Sequence, residues 1–305
     1  MKNKKQIYKF SLALILVGIF FIFGCEGQLA EKKLATIVTN TSAAKKEEAQ
    51  MKSVEISENS QTSAAAQNLA LKQNLDWTFG GKAQKGWFIY HPLICSLIGV
   101  EVKANGNAFA KSLANWQKSV GLPPNGVLDE ATLMKIIANW QSNRLKKRGE
   151  AAANELQIVS TTDFYDVSRS EELRQVEHET YAAYKKMVAA AINDKSLKLK
   201  SKGKSELAPD EKFLKIISAF RSPNYQAQLR QQSPDSGRAG LAVNSPHFTG
   251  RALDIYVGGE PISTQDANRL IQINTPIYQW LVKNAGKFGF KPYFYEPWHW
   301  EYAPD

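Results

Sequence analysis

The chain has 305 residues, of which 43% are hydrophobic and 22% are charged; this composition excludes a wholly disordered, collagen-like or polytopic membrane protein, and the length predicts about two domains. Two cysteines exclude a disulfide scaffold and a four-cysteine zinc site, so a metal would need histidine and carboxylate ligands. The formal net charge is +10, and four of the lysines lie within the first nine residues. The remaining charge favours an anionic wall or membrane surface as partner, and nucleic acid is not predicted.

Residues 1–24 are predicted to be an export signal, because lysines precede an apolar run over residues 11–23. That run is shorter than the ~20 residues of a membrane-spanning helix. The sequence Ile22-Phe23-Gly24-Cys25 resembles the bacterial lipobox, in which the cysteine is acylated. This resemblance implies a lipid anchor on Cys25 and a location in the bacterial cell envelope, facing the periplasm or the exterior. An uncleaved membrane anchor is the alternative.

Residues 25–76 are predicted to form a flexible tether. Residues 26–74 contain no aromatic residue and no proline, so they bury too little apolar area to offset the entropy of ordering. A marginal helix around residues 43–52 is the alternative for part of this stretch. Aromatic residues and glycines appear together at residues 76–81, where the first folded domain is predicted to begin.

Residues 77–145 are predicted to form a small helical domain. Apolar residues at helical spacing predict two amphipathic helices between residues 105 and 143, joined by a turn whose Asp129 is a candidate N-cap. The pattern resembles the small helical peptidoglycan-binding domain at Gln117, Gly121, Leu122, Gly126, Val127, Thr132 and Leu133. The resemblance implies binding to peptidoglycan. The alternative is a helical hairpin that packs on the next domain and binds nothing.

A charged segment over residues 144–149 is predicted to be a solvated linker to a second domain, residues 155–305. The second domain is predicted to contain a helix over residues 177–193 and a buried strand over residues 213–220.

The last ninety residues contain a candidate metal site. His247 and Asp254 bracket Gly250, which allows the chain to reverse so that both side chains face the same point. His299, in an aromatic segment typical of a strand, is the third candidate ligand. Two imidazoles, one carboxylate and an open position are the arrangement by which zinc lowers the pKa of bound water to about 7. Other divalent metals suit similar ligands, and a purely structural metal site is the alternative.

Four more residues are candidates for roles around this metal. Glu296 lies three residues before His299 and is the candidate general base. Arg221 is a candidate partner for a substrate carboxylate or carbonyl group, or else a structural ion-pair partner. Ser245 is a candidate for hydrogen bonding to the substrate backbone. Trp298 is a candidate for the pocket wall, although tryptophan there is also typical of a core.

Together these segments, from about residue 175 to 301, resemble the VanY-type D-alanyl-D-alanine carboxypeptidase family of zinc peptidases. The family pattern is Ser-x-His-x-x-Gly-x-Ala-x-Asp followed by Glu-x-x-His-Trp. Its fixed positions are filled here by Ser245, His247, Gly250, Ala252, Asp254, Glu296, His299 and Trp300. The resemblance implies an α+β fold whose small antiparallel sheet carries zinc on the two histidines and the aspartate. It also implies Glu296 as general base and Arg221 as the group that binds the substrate and polarises its carbonyl.

The function implied is a membrane-tethered, zinc-dependent D,D-carboxypeptidase that acts on peptidoglycan stem peptides, held on its polymeric substrate by the helical domain. A peptidoglycan endopeptidase of the same family is one alternative, since the position of cleavage depends on loops such as residues 231–243. A non-catalytic wall-binding lipoprotein is the other. Glu296 argues against the latter, because a binding module needs no base beside its metal.

Overall fold

The structure is a computed structural model that describes residues 62–232 and 242–304, together with residues 46, 47, 50 and 60. The predicted export signal, Cys25 and most of the predicted tether lie outside the described residues, as does most of the loop over residues 231–243. The residues from Glu58 onward form one compact unit. Among the described residues, no helix is both long enough and apolar enough to cross a membrane.

The N-terminal part is a helical module with one small hairpin. Its elements are α1 (residues 62–74), β1 (Asp76–Phe79), β2 (Lys82–Lys85), α2 (His91–Ile98), α3 (Gly106–Ser119) and α4 (Glu130–Ser142). Helices α3 and α4 confirm the two helices predicted between residues 105 and 143. The Asp129 side chain accepts a 2.8 Å hydrogen bond from the amide of Thr132, which confirms the predicted N-cap of α4.

Helix α1 lies within the segment predicted to be a flexible tether, so the folded chain starts by residue 62 at the latest. Ala64 and Asn68 are buried in its interface. The Asn68 side chain donates to the carbonyl of Gly126 and accepts from the amide of Leu128, both at 2.7 Å. Small and polar residues therefore dock this helix, and a search for aromatic or large apolar residues does not detect it.

The C-terminal part combines helices with small antiparallel sheets, which confirms the predicted α+β class. Two short sheets pair β3 (Leu156–Ile158) with β4 (Gln175–Glu177) and β5 (Ser201–Lys202) with β6 (Glu206–Leu207). The main sheet contains β7 (Ile216–Ser218), β8 (Ala252–Ile255), β9 (Phe290–Pro292) and β10 (His299–Tyr302), in the order β7-β8-β10-β9. The helices are α5 (His178–Asn193), α6 (Pro223–Gln232), α7 (Asp266–Ile273) and α8 (Pro276–Asn284).

Two features of the main sheet place the candidate site. Strand β8 lies between β7 and β10, and its register sets Asp254 opposite both Ser218 and His299. The turn before β8 contains Gly250 at φ +66°, and a Cβ there would lie 2.6 Å from the side chain of Leu156. Only glycine fits this reversal, as predicted. Strand β7 covers only residues 216–218 of the strand predicted over residues 213–220. Its late start follows from Leu214, whose positive φ of 67° is incompatible with extended pairing.

The module and the C-terminal part share one hydrophobic core. The ring of Phe294 lies 4.8 Å from that of Phe79, 5.5 Å from that of Tyr90 and 5.7 Å from that of Trp140, measured between centroids. The boundary predicted between residues 145 and 155 is therefore not a boundary between two separate cores. The module packs on the C-terminal part, and its binding to peptidoglycan stays a prediction.

Candidate functional site

The three predicted metal ligands meet at the centre of the main sheet. His247 lies in a single 3₁₀ turn (Pro246–Thr249), Asp254 in β8, and His299 at the start of β10. Oδ1 of Asp254 is 3.3 Å from Nε2 of His247 and 2.9 Å from Nδ1 of His299. One ligand atom from each residue lies within 4.8 Å of the others, and all three side chains are buried. Three such atoms can share one cation.

Neighbouring groups orient these ligands toward a common point. Nδ1 of His247 donates to the carbonyl of Ala219 at 2.6 Å, which leaves Nε2 free to bind a metal. Arg221 donates from Nη2 to Oδ2 of Asp254 at 2.5 Å, on the side of the carboxylate away from the histidines. A set of two imidazoles and one carboxylate, oriented by hydrogen bonds to atoms that do not face the common point, fits a catalytic zinc site.

The surroundings of the site shift the pKa values of its titratable groups in different directions. Burial, reinforced by the charge of Arg221, lowers the pKa of His247 to about 4. Burial also disfavours charge on His299, but its hydrogen bonds to Asp254 and Glu301 outweigh that effect and raise its pKa to about 9. Burial opposes the ionisation of Asp254, yet the charges of His247 and Arg221 hold its pKa well below the usual range. Without metal, the proton of the cluster therefore resides on His299, and a cation must displace it.

Glu296 is held beside the ligands by a tight turn. The amide of Glu296 donates to the carbonyl of Tyr293 at 3.2 Å, and the amide of His299 donates to the carbonyl of Glu296 at 3.0 Å. The side chain is buried and lines the cavity, and within the described part of the chain its carboxylate has no hydrogen-bond partner. Burial raises the pKa of Glu296 to about 8. Such a group can exchange a proton with a molecule in the cavity near neutral pH.

The raised pKa of Glu296 has a measurable consequence for the metal-free protein. Between the ordinary value of 4.5 and about 8, the folded state holds a proton on Glu296 that the unfolded state has lost. The free energy of unfolding therefore falls as pH rises through this window, by up to about 1.4 kcal/mol per pH unit from this group. We expect urea unfolding in a chelator to show that the free energy of unfolding decreases less between pH 6 and pH 8 in Glu296→Gln than in the parent protein. An equal decrease in both proteins would contradict the raised pKa.

Arg221 is an ion-pair partner of Asp254 in this structure. Its guanidinium also donates from Nε to Ser218 at 2.9 Å and from Nη1 to Gln226 at 3.4 Å. These contacts use three of the five N–H donors of an arginine and leave two. Arg221 lines the cavity, so its predicted contact with the substrate stays a prediction compatible with its position.

Ser245 and Trp298 also line the cavity. Oγ of Ser245 accepts from the amide of His247 at 3.3 Å, so the serine caps the turn that carries this ligand. Trp298 is buried, and its carbonyl accepts from the amide of Ile255 at 2.8 Å. Both residues thus have structural contacts, and their predicted contacts with substrate stay predictions.

The cavity in front of the ligands has a volume of about 390 Å³. Four arginines contribute to its lining: Arg144, Arg148, Arg169 and Arg221. The arginine-rich lining is suited to a ligand that carries carboxylates.

Sequence reasoning missed Glu301 and Arg144. Glu301 is fully buried on β10, and its Oε1 lies 3.3 Å from Nε2 of His299. It forms an ion pair with Arg144, whose side chain is only 11% exposed. The segment over residues 144–149, predicted to be a solvated linker, therefore packs against the site at its start. The spacing of His299 and Glu301 was the available signal, because residues i and i+2 of a strand face the same side.

Comparisons with known proteins agree with this geometry. Residues 173–305 match the family model VanY, described as D-alanyl-D-alanine carboxypeptidase. The comparison with curated proteins found no match.

Proposed function

We propose that the protein is a zinc-dependent D,D-carboxypeptidase that trims peptidoglycan stem peptides, and this proposal is supported by the match of residues 173–305 to the VanY family of D-alanyl-D-alanine carboxypeptidases. The observation that carries the proposal is the convergence of His247, Asp254 and His299, with the buried Glu296 beside them. A site that only binds the wall needs no unpartnered carboxylate next to its ligands.

Each side chain has a role in this reaction. The arginines of the cavity attract the carboxylate at the end of the stem peptide, and Arg221 orients the scissile carbonyl with its two remaining donors. Glu296 accepts a proton from the attacking water and then delivers it to the amine of the departing D-alanine. Ser245 positions the peptide backbone, and Trp298 closes one side of the pocket. A bound zinc ion supplies Lewis acidity that polarises the carbonyl and activates water at neutral pH.

The location of the enzyme is part of the same proposal. We propose that acylated Cys25 anchors the protein to the membrane of a bacterial envelope and that the helical module contacts peptidoglycan. Tethering and wall binding both raise the local concentration of substrate. The net positive charge of the chain is consistent with anionic surroundings.

The experiment that tests the proposal is digestion of purified muropeptides by the full-length protein, with mass spectrometry of the products. We expect the loss of one terminal alanine from pentapeptide stems, its suppression by a chelator and its restoration by Zn²⁺. Release of a larger fragment would replace the carboxypeptidase assignment with an endopeptidase. No cleavage by protein that carries metal would favour a non-catalytic wall-binding lipoprotein.

A further inference from the structure

A charged side chain that the proposed reaction does not use is buried directly behind a metal ligand. The carboxylate of Glu301 has no solvent exposure, and it lies 3.3 Å from Nε2 of His299. A buried carboxylate is costly unless it is paired and hydrogen-bonded. The hydrogen-bond donors that pair with the carboxylate of Glu301 therefore determine its position.

Those groups lie 156 and 157 residues earlier in the chain, just beyond the last helix of the module. Oε1 of Glu301 accepts from Nε of Arg144 at 2.9 Å and also from Nη2 of the same guanidinium. Oε2 accepts from the backbone amide of Leu145 at 2.9 Å. Both carboxylate oxygens are thus held by two consecutive residues that follow the C-cap of α4, Asn143, in the helical module.

Arg144 is itself fixed on two sides. Nη1 donates to the side chain of Gln141 on α4 at 3.1 Å. The guanidinium carbon lies 3.9 Å from the centre of the Tyr293 ring, and that ring packs edge-on against His299 at 5.8 Å. Arg144 therefore connects the last turn of α4 to Tyr293, the residue that packs against His299.

The two nitrogens of His299 have different surroundings, and Glu301 defines the difference. Nδ1 faces Asp254 and the other candidate ligands, whereas Nε2 faces Glu301. A carboxylate that accepts from one ring nitrogen fixes the tautomer and the orientation of a metal-bound histidine, and it raises the basicity of the other nitrogen.

We propose that Arg144 and the amide of Leu145 position Glu301, and through it His299, so that the end of the helical module forms part of the metal centre. The inference rests on the metal site of the proposed function. It gives the module a role in assembling the site that is separate from any binding to the wall. Arg144 and Glu301 are positioning residues, since neither supplies a metal ligand.

The test is the affinity of the full-length protein for Zn²⁺, measured without substrate by competition with a chromophoric chelator. Arg144→Met and Glu301→Gln are expected to weaken zinc binding by about 10- to 100-fold, the usual cost of removing a partner behind a ligand. The double variant is expected to bind no more weakly than Glu301→Gln alone, because Arg144 acts through Glu301. Co²⁺ in place of Zn²⁺ is expected to show an altered visible spectrum in both single variants.

Arg174→Met is the matched control. Its side chain is 12% exposed, close to the 11% of Arg144, but Arg174 lies outside the lining of the cavity and donates to the carbonyls of Arg169 and Val159 and not to Glu301. The affinity of this variant for Zn²⁺ is expected to stay within about threefold of the parent. That loss is smaller than the roughly 10- to 100-fold loss typical of removing the hydrogen-bond partner of a metal ligand. If Arg144→Met does not fold, Arg144→Lys, which keeps the charge but loses the forked contact, provides the comparison and is expected to bind less weakly than Glu301→Gln.

Unchanged zinc affinity and an unchanged Co²⁺ spectrum in Glu301→Gln, with only a lower unfolding midpoint, would overturn the inference and leave the ion pair a structural one. Additive losses in the double variant would also overturn it. A parent protein that binds zinc but cleaves no muropeptide would refute the proposed function alone. A parent that binds no divalent cation would refute both.

Discussion

Glu296→Gln is expected to reduce hydrolysis of pentapeptide stems by about 10²- to 10⁴-fold or more, the usual contribution of a general base, while the protein still binds zinc. The amide has nearly the volume of the carboxylate, so the turn from Tyr293 to His299 should keep its hydrogen bonds. It cannot accept the proton of water. Among the described residues the other carboxylates near the ligands are already paired, Asp254 with two histidines and Arg221, and Glu301 with Arg144. The measurement is kcat/KM on muropeptides alongside zinc content.

Glu260→Gln is the control for this experiment. Glu260 is exposed and lies outside the lining of the cavity, so the variant changes the net charge equally without touching the site. Loss of zinc together with activity in Glu296→Gln would instead make Glu296 part of the metal coordination. Retained activity would assign the proton transfer to another group.

The site could be predicted to the extent that its chemistry is local in sequence. His247, Gly250 and Asp254 lie within eight residues, and Glu296 and His299 lie within four, so their spacing alone specifies a turn and two strands. The position of Arg221 on the back of Asp254 could not be chosen from sequence, because substrate binding and ion pairing require the same residue type.

The role of Glu301, by contrast, could not be predicted from residues near it in the sequence. Its spacing from His299 places it on the same side of β10, but its significance depends on Arg144, which is 157 residues away. Nothing in a charged segment distinguishes an arginine that pairs with a buried carboxylate from one that is solvated. Long-range electrostatic partners of this kind emerge only from the fold.

The helices of the module differ in how clearly the sequence predicts them. Periodicity identified α3 and α4 because each has a clear apolar face, whereas the buried residues of α1 are Ala64 and the polar Asn68, with Leu71 only partly buried beside them. The rings of Phe79 and Trp140 in the module meet the ring of Phe294 in the C-terminal part. Composition alone cannot show which apolar surfaces face each other.

Phe294→Ala is expected to lower the free energy of unfolding by about 3–5 kcal/mol, the usual cost of removing a buried phenylalanine ring. The ring contacts residues of the module, and it lies two positions before Glu296, so one cavity would weaken both the junction and the turn that holds the base. Because the core is continuous, we expect urea unfolding followed by tryptophan fluorescence and by circular dichroism to give coincident single transitions in the parent and in the variant.

Phe288→Ala is the matched control, since Phe288 is only partly buried and makes none of the ring contacts that join the module to the C-terminal part. Its loss of stability is expected to be smaller, because less apolar area is returned to water. Two separate transitions in the parent, of which Phe294→Ala shifts only one, would contradict a shared core. In that case the module would fold as an independent domain, and the contact between Arg144 and Glu301 would have to form between two separately stable bodies.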